Sequence, residues 1–270
     1  MLKARVITAL ILAGGLLSAL FLLPRLGMLL VFIGIVAIAA WEWAGLLKAS
    51  ASGRWLYAML TGLPCIALIA AGMPSALLTG AWLLALGFWL VIVPLWFRGK
   101  WPLGNNVTGW LIGWLLLVPS WAAMVILYQR SPWLLLAAMA LVWVADIAAY
   151  FAGRNFGRHK LAPTISPGKT WEGAAGAAIG VLIYGLAVGH CAGRLVQLDP
   201  GQLLLAAFGL LLLTAVSILG DLFESLAKRH AGVKDSSALL PGHGGVLDRI
   251  DSLTSTLPLA ALVATHSVGY

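Results

Sequence analysis

A chain of 270 residues that is 61% hydrophobic and only 10% charged, with a formal net charge of +8, does not read as a soluble domain, since soluble domains carry about 25% charged residues. Its mean hydropathy of +0.99 and 13 tryptophans describe a polytopic membrane protein with aromatic side chains at headgroup level. No basic tract is interleaved with aromatics as a nucleic-acid groove requires, so the positive charge points to anionic lipid or phosphate and not to nucleic acid.

Windows of about 20 apolar residues cross a bilayer as helices. In chain order the expected spans are 6–23, 27–47, 55–72, 76–97, 108–128, 133–152, 173–193, 202–220 and 253–268. The first follows Lys3 and Arg5 as a signal peptide would. It is long for such a segment, and no Ala-x-Ala-like site precedes Pro24-Arg25, so it is expected to be a retained span. The expected fold is an all-α bundle of about nine transmembrane helices forming one membrane domain over residues 1–270. Residues 1–130 supply N-terminal spans. Residues 131–270 form a catalytic half with polar loops 153–172 and 221–252. Gly173, Gly176 and Gly180 allow close helix packing in the seventh span. Cys65 and Cys191 lie in apolar segments with neither metal-ligand nor disulfide spacing.

The basic residues orient this chain. With nine spans, 14 of the 17 Lys and Arg fall on the side holding the N-terminus and both polar loops, leaving only Arg25, Arg130 and Arg194 opposite. The positive-inside rule then predicts a cytoplasmic N-terminus and an outside C-terminus.

Charge is concentrated where chemistry is expected. Residues 221–251 hold five carboxylates, four cations and two histidines in 31 positions. If the eighth span continues as a helix, Asp221, Glu224 and Lys228 share one face. Asp248 and Asp251 share another if a helix starts near Val246. Carboxylates converging at a membrane surface suit Mg²⁺, which takes one or two carboxylates, waters and substrate phosphates. Internal salt bridges are the competing account. The turn Pro241-Gly242-His243-Gly244-Gly245 could lend backbone N–H groups to a phosphate, or be a plain turn.

A second constellation runs from Asp146 to Glu172. Asp146 is an ionisable group late in a span, functional by default unless it is a satisfied packing carboxylate. Arg154, Arg158, His159, Lys160 and Lys169 rim it. Gly168-Lys169-Thr170 resembles the end of a P-loop, but Pro163 stands where the loop's first glycine belongs, which rejects that reading. Glu42, between Trp41 and Trp43, is buried in the second span, where it could pair with Arg54 or a cation of another helix and be structural or line the substrate site; no role is assigned to it. Acids, cations and a glycine turn at a lipid interface suit phosphoryl or nucleotidyl transfer, which needs no protein nucleophile.

The stretches Ser225–Arg229, Lys234–Ser237 and Leu240–Asp251 resemble the signature of phosphatidate cytidylyltransferases. Asp146, Ala149-Tyr150, Gly153-Arg154, Gly157, Leu161–Pro163, Ser166–Thr170 and Glu172-Gly173 are similar to that family's upstream motif. Ala227 and Ile147 depart from it without removing a charge. The resemblance implies transfer of cytidylyl from CTP to phosphatidic acid, with Mg²⁺, yielding CDP-diacylglycerol and pyrophosphate. It implies that Asp221, Asp248 and Asp251 hold the cation, that a potassium ion could sit beside it, and that Lys228 and Arg229 join Asp221 and Asp248 in catalysis. Ser166, Lys169, Lys234, Asp235, His243, Gly244, Gly245, Arg249 and Asp146 would bind substrate. A bacterial inner membrane and a homodimer are compatible with the same likeness. Another lipid-phosphate transferase and an anion transporter are the alternatives. The first lacks its expected aspartate spacing here, and the second lacks internal repeats.

Overall fold

The computed structural model describes residues 2–193 and 197–266. Arg194 and the end of the expected span 253–268 lie outside them, as do the side chains of Lys3 and Arg5. Among the described residues, nine helical rods occupy the nine expected spans: α1 (Leu2–Leu22), α2 (Arg25–Leu46), α3 (Ala51–Ala70), α4 (Ser75–Gly99), α5 (Val107–Arg130), α6 (Pro132–Phe156), α7 (Trp171–Cys191), α8 (Pro200–Ala231) and α9 (Leu247–His266). Between α6 and α7, β1 (Lys160–Ala162) and β2 (Ser166–Thr170) form an antiparallel hairpin. The chain is an all-α polytopic membrane protein with this one small addition.

Local chemistry sets the boundaries. Ser50, Asn106 and Thr170 accept N–H bonds from Gly53, Gly109 and Gly173 at 3.2, 2.9 and 3.1 Å, capping α3, α5 and α7. Asp199 and Gln202 form a reciprocal capping box on α8. Within α4 a π-helical turn spans Phe88–Ile92, next to Pro94, which has no N–H to continue the ladder.

Among the described residues, seven of the rods, α2 to α8, are long and apolar enough to cross a membrane; the described side chains of α1 form an apolar stretch over Ile7–Leu22, and α9 is not among the seven. Packing explains α9. It lies among α4, α5, α6 and α8, so little of it needs to face lipid. Ser252, Thr254, Ser255 and Thr256 are buried there. Their hydroxyls donate to backbone carbonyls, such as Thr256 to Ser252 O at 2.9 Å. Pro258 cannot bond the Thr254 carbonyl; Ser120 Oγ donates to it instead at 2.7 Å.

The tryptophans divide in a way composition did not predict. Trp55, Trp133 and Trp171 are exposed, as a headgroup belt requires, but Trp43, Trp82, Trp89 and Trp121 are fully buried. Some of these bury their N–H by donating to a carbonyl: Trp43 to Gly109 O at 3.0 Å and Trp82 to Pro119 O at 3.1 Å. Phe223 of α8 is packed by the rings of Trp43, Phe88, Trp89 and Trp96, which anchors α8 at the level of its acidic residues. The α6–α7 interface uses small residues instead. A Cβ on Gly176 would strike Ala152, and one on Gly180 would lie 2.6 Å from Ala148.

The ends of the rods sort as the alternating spans require. Thr8 of α1 donates to Pro241 O at 3.2 Å, and Trp43 near the end of α2 reaches the start of α5. At the opposite end Phe21 packs on Trp133, and Arg130 donates to Ala264 O.

Candidate active site

The hairpin is strapped to the start of α7. Trp171 N–H donates to His159 O at 2.9 Å, and the His159 ring meets Glu172 Oε1 at 2.6 Å. This fixes β2, and Lys169 on β2 reaches Asp221 of α8 with Nζ 2.6 Å from Oδ2. The two polar segments therefore meet. Arg229 adds a weaker link, donating to Ile165 O at 3.4 Å.

Beside that ion pair lies a cleft of about 490 Å³ between α6, the hairpin, α7 and α8. Asp146, Arg154, Ser166, Lys169, Ser217 and Asp221 bring its polar groups, and alanines of α6 and α7 form an apolar wall. Of the residues expected at a site, Asp146, Ser166, Lys169 and Asp221 are gathered around this space, with Arg154 of the basic rim; Ser217 was not among those expected. The cleft pairs a cation and acids with apolar surface, as a phosphate on a lipid would need.

A second cluster is closed. α8 continues to Ala231, so Asp221, Glu224 and Lys228 do share a face. Lys228 Nζ lies 2.6 Å from both Glu224 Oε2 and Asp248 Oδ1, and all three residues are buried. Asp248 Oδ2 accepts from Ser236 N–H, Ser236 Oγ and Gly245 N–H, each at 2.8 Å. Burial alone would raise the Asp248 carboxyl; the bonds from Lys228, Gly245 and Ser236 outweigh it and hold the group down at about 2. Asp251, one turn on and still at the polar mouth of α9, behaves oppositely. Burial first, and then the Asp221 charge, push it up to about 7. Its Oδ1 accepts from Ser252 N–H at 2.7 Å.

Among the described residues, no three of His, Cys, Asp and Glu are grouped to hold a metal ion by themselves. A Mg²⁺ ion needs no such cage, since waters and substrate phosphates complete its shell around one or two carboxylates. Asp221 and Asp251 fit that demand. They are near enough for the Asp221 charge to raise Asp251, and Lys169 is the cation already paired with Asp221. Asp248 fits it less well, because both its oxygens are committed.

Other expected residues do not line the cleft, although the Arg249 charge reaches Asp146. Lys234, Asp235 and Arg249 are exposed, and His243 is half-buried with an unpartnered Nδ1. Gly244 adopts φ +81°, where a side chain would be strained. The Gly245 N–H, expected to face a phosphate, donates to Asp248.

Sequence reasoning left Glu42 without a role, and the structure gives it one. Its carboxylate accepts from Ser237 Oγ and Leu247 N–H at 2.6 Å, Val246 N–H at 3.0 Å and Ser236 Oγ at 3.3 Å. A lone acid in an apolar span must find donors somewhere, and that was the available signal.

A bundle of long apolar helices around a cleft lined by an ion pair is an integral membrane protein with a polar pocket. Comparison with known proteins then narrows the class. A profile of the cytidylyltransferase family matches residues 3–266. The chain is 44% identical to the phosphatidate cytidylyltransferase of Pseudomonas aeruginosa, covering 97% of this chain and 96% of that protein. It is 35% identical to the phosphatidate cytidylyltransferase of Haemophilus influenzae over 96% of each. With that of Staphylococcus aureus it shares 44% identity over 49% of each chain. The chain belongs to the cytidylyltransferase family, and is a nucleotidyltransferase.

Proposed function

We propose that this protein transfers cytidylyl from CTP to phosphatidic acid, forming CDP-diacylglycerol and pyrophosphate. The observation that carries the reading is the Lys169–Asp221 pair in a cleft with an apolar wall, in a chain matched end to end by phosphatidate cytidylyltransferases. A phosphate oxygen of phosphatidic acid attacks the α-phosphorus of CTP. The new P–O bond forms as the bond between the α-phosphorus and its bridging oxygen breaks, and pyrophosphate leaves. Phosphoryl-type transfer of this kind is mostly positioning and charge stabilisation.

Lys169, Arg154 and Ser166 would hold phosphate oxygens, with Lys169 exchanging Asp221 for the substrate. Asp221 and Asp251 would hold Mg²⁺, with Asp146 near them; the ion supplies charge neutralisation on the triphosphate. Lys228 keeps Asp248 and Glu224 compensated behind that site. The site would face the cytoplasm of a bacterial inner membrane, as the distribution of Lys and Arg predicts.

Membranes carrying the overproduced protein should convert labelled CTP into chloroform-soluble CDP-lipid when phosphatidic acid and Mg²⁺ are present. Well-folded protein giving no CTP-dependent lipid product would sink the reading. Product formed equally well after chelation would remove the metal from it.

A further inference from the structure

Glu42 is completely buried, and its four donors come from both ends of the segment joining α8 to α9. Ser236 and Ser237 lie in the first half of that segment; Val246 closes it and Leu247 begins α9. An ionised carboxylate at a helix N-terminus is stabilised by the aligned N–H groups, and such charge-assisted bonds are about twice as strong as neutral ones. The fit is tight. A Cβ on Gly245 would run into Ser236 Oγ and Glu42 Oε1.

The same segment aims Asp248. Ser236 and Gly245 occupy Asp248 Oδ2, which leaves Oδ1 to hold Lys228 at 2.6 Å. The Ser236 hydroxyl lies between Glu42 and Asp248, at 3.3 and 2.8 Å; its one proton goes chiefly to the nearer Asp248 and is shared weakly with Glu42, so the two carboxylates meet at one donor. A residue of α2, outside the cleft, thereby governs the position of Asp248 and Lys228 behind it.

We infer that Glu42 is a positioning residue for the reaction, stapling residues 236–247 so that Asp248 and Lys228 hold a fixed place beside Asp221 and Asp251. The inference rests on the proposed cytidylyl transfer. Glu42 touches no reacting atom; it acts through Ser236 and the first turn of α9.

Glu42→Gln keeps the shape, removes the charge and turns an NH₂ toward backbone donors. In full-length protein in lipid nanodiscs, kcat should fall about tenfold or more while KM for CTP moves less than about threefold, the split expected when geometry and not binding is lost. Amide exchange should quicken across 236–247. Ser120→Ala is the control: it removes the bond to Thr254 O inside the bundle and should lower Tm without changing kcat. A Glu42→Gln kcat equal to wild type overturns the inference. So does a fall that Ser120→Ala matches at equal loss of Tm. If Glu42→Gln does not fold, Ser237→Ala removes one 2.6 Å bond and keeps the charge. It should lower kcat about threefold with KM held, and an unchanged kcat overturns the inference. Wild-type protein that makes no CDP-lipid overturns the proposed function and the positioning role with it; faster exchange in Glu42→Gln then leaves a structural staple alone.

Discussion

Lys169 and Lys228 each stand 2.6 Å from an aspartate, yet they serve different ends. The Lys169–Asp221 side chains are 23% and 31% exposed and face a cleft; those of Lys228 and Asp248 are 11% and 4% exposed and face only other protein groups. A half-solvated pair is worth about 0–1 kcal/mol, so its lysine can trade a carboxylate for a phosphate at small cost. A buried pair stabilises little when complete but is expensive to break, because the remaining charge has no water to turn to. On the proposed reading, similar residues make a working surface in one place and a support in the other.

Breaking the support should have the largest effect. Lys228→Ala leaves Glu224 and Asp248 uncompensated and should cost about 3–5 kcal/mol of stability. The loss is read as a collapse of the monodisperse peak in detergent or a large fall in Tm. A normal Tm would show that the cluster is not closed in solution.

Breaking the working surface should spare the fold. Asp221→Asn and Lys169→Ala should each lower kcat/KM at least about a hundredfold, roughly 2.7 kcal/mol, as expected for a group that stabilises transition-state charge. Tm should stay near wild type, since the pair itself contributes about 1 kcal/mol or less. Equal losses of Tm in Asp221→Asn and Lys228→Ala would erase the distinction between the clusters.

Both lysines stood out in the sequence, but not their difference. Helical spacing put Asp221, Glu224 and Lys228 on one face, and the start of α9 at Leu247 was legible within a residue. Span positions followed from apolar length alone. The hairpin was not legible, because Ser166-Pro167-Gly168 reads as a turn and a two-stranded ribbon is set by its partner strand. Nor was the role of Glu42, whose partners lie 194 to 205 residues away. Nothing local signals which distant amides a buried acid will find. The fate of the glycine turn was open for the same reason: its N–H groups suit a phosphate or a neighbouring carboxylate, and Asp248 was three residues away.

A smaller effect concerns how the cleft is framed. Gly176 lets α7 approach Ala148 and Ala152 of α6, the helix that carries Asp146. Gly176→Leu should cost about 1–3 kcal/mol by overpacking. It should also raise KM more than it lowers kcat, since it moves a wall and leaves the charges in place. Measuring both constants at matched folded fraction separates this from the Asp221 result.

The smallest expected signal is a pH dependence, and it sets Asp248 and Asp251 against each other. Asp248 lies below its ordinary value of 3.8, at about 2, so its contribution is complete above 3.8 and is lost as pH falls toward 2. Asp251 lies above its ordinary value, at about 7, so the folded chain binds its proton more tightly than the unfolded chain does. Its ionisation is a penalty that is complete above about 7 and is relieved as pH falls from there toward 3.8. Tm followed against pH without divalent ions should therefore rise as pH drops below about 7, then turn down below about 4. Asp251→Asn should make the upper slope shallower, the rest of it coming from the other buried carboxyls, and keep the lower one. Mg²⁺ held by ionised Asp251 works in the opposite direction, so adding it should flatten the same upper slope in wild type and have a smaller effect in Asp251→Asn, where Asp221 is left as the proposed ligand. An upper slope indifferent to Mg²⁺ would take Asp251 out of the metal site and leave it, like Asp248, a member of the closed support.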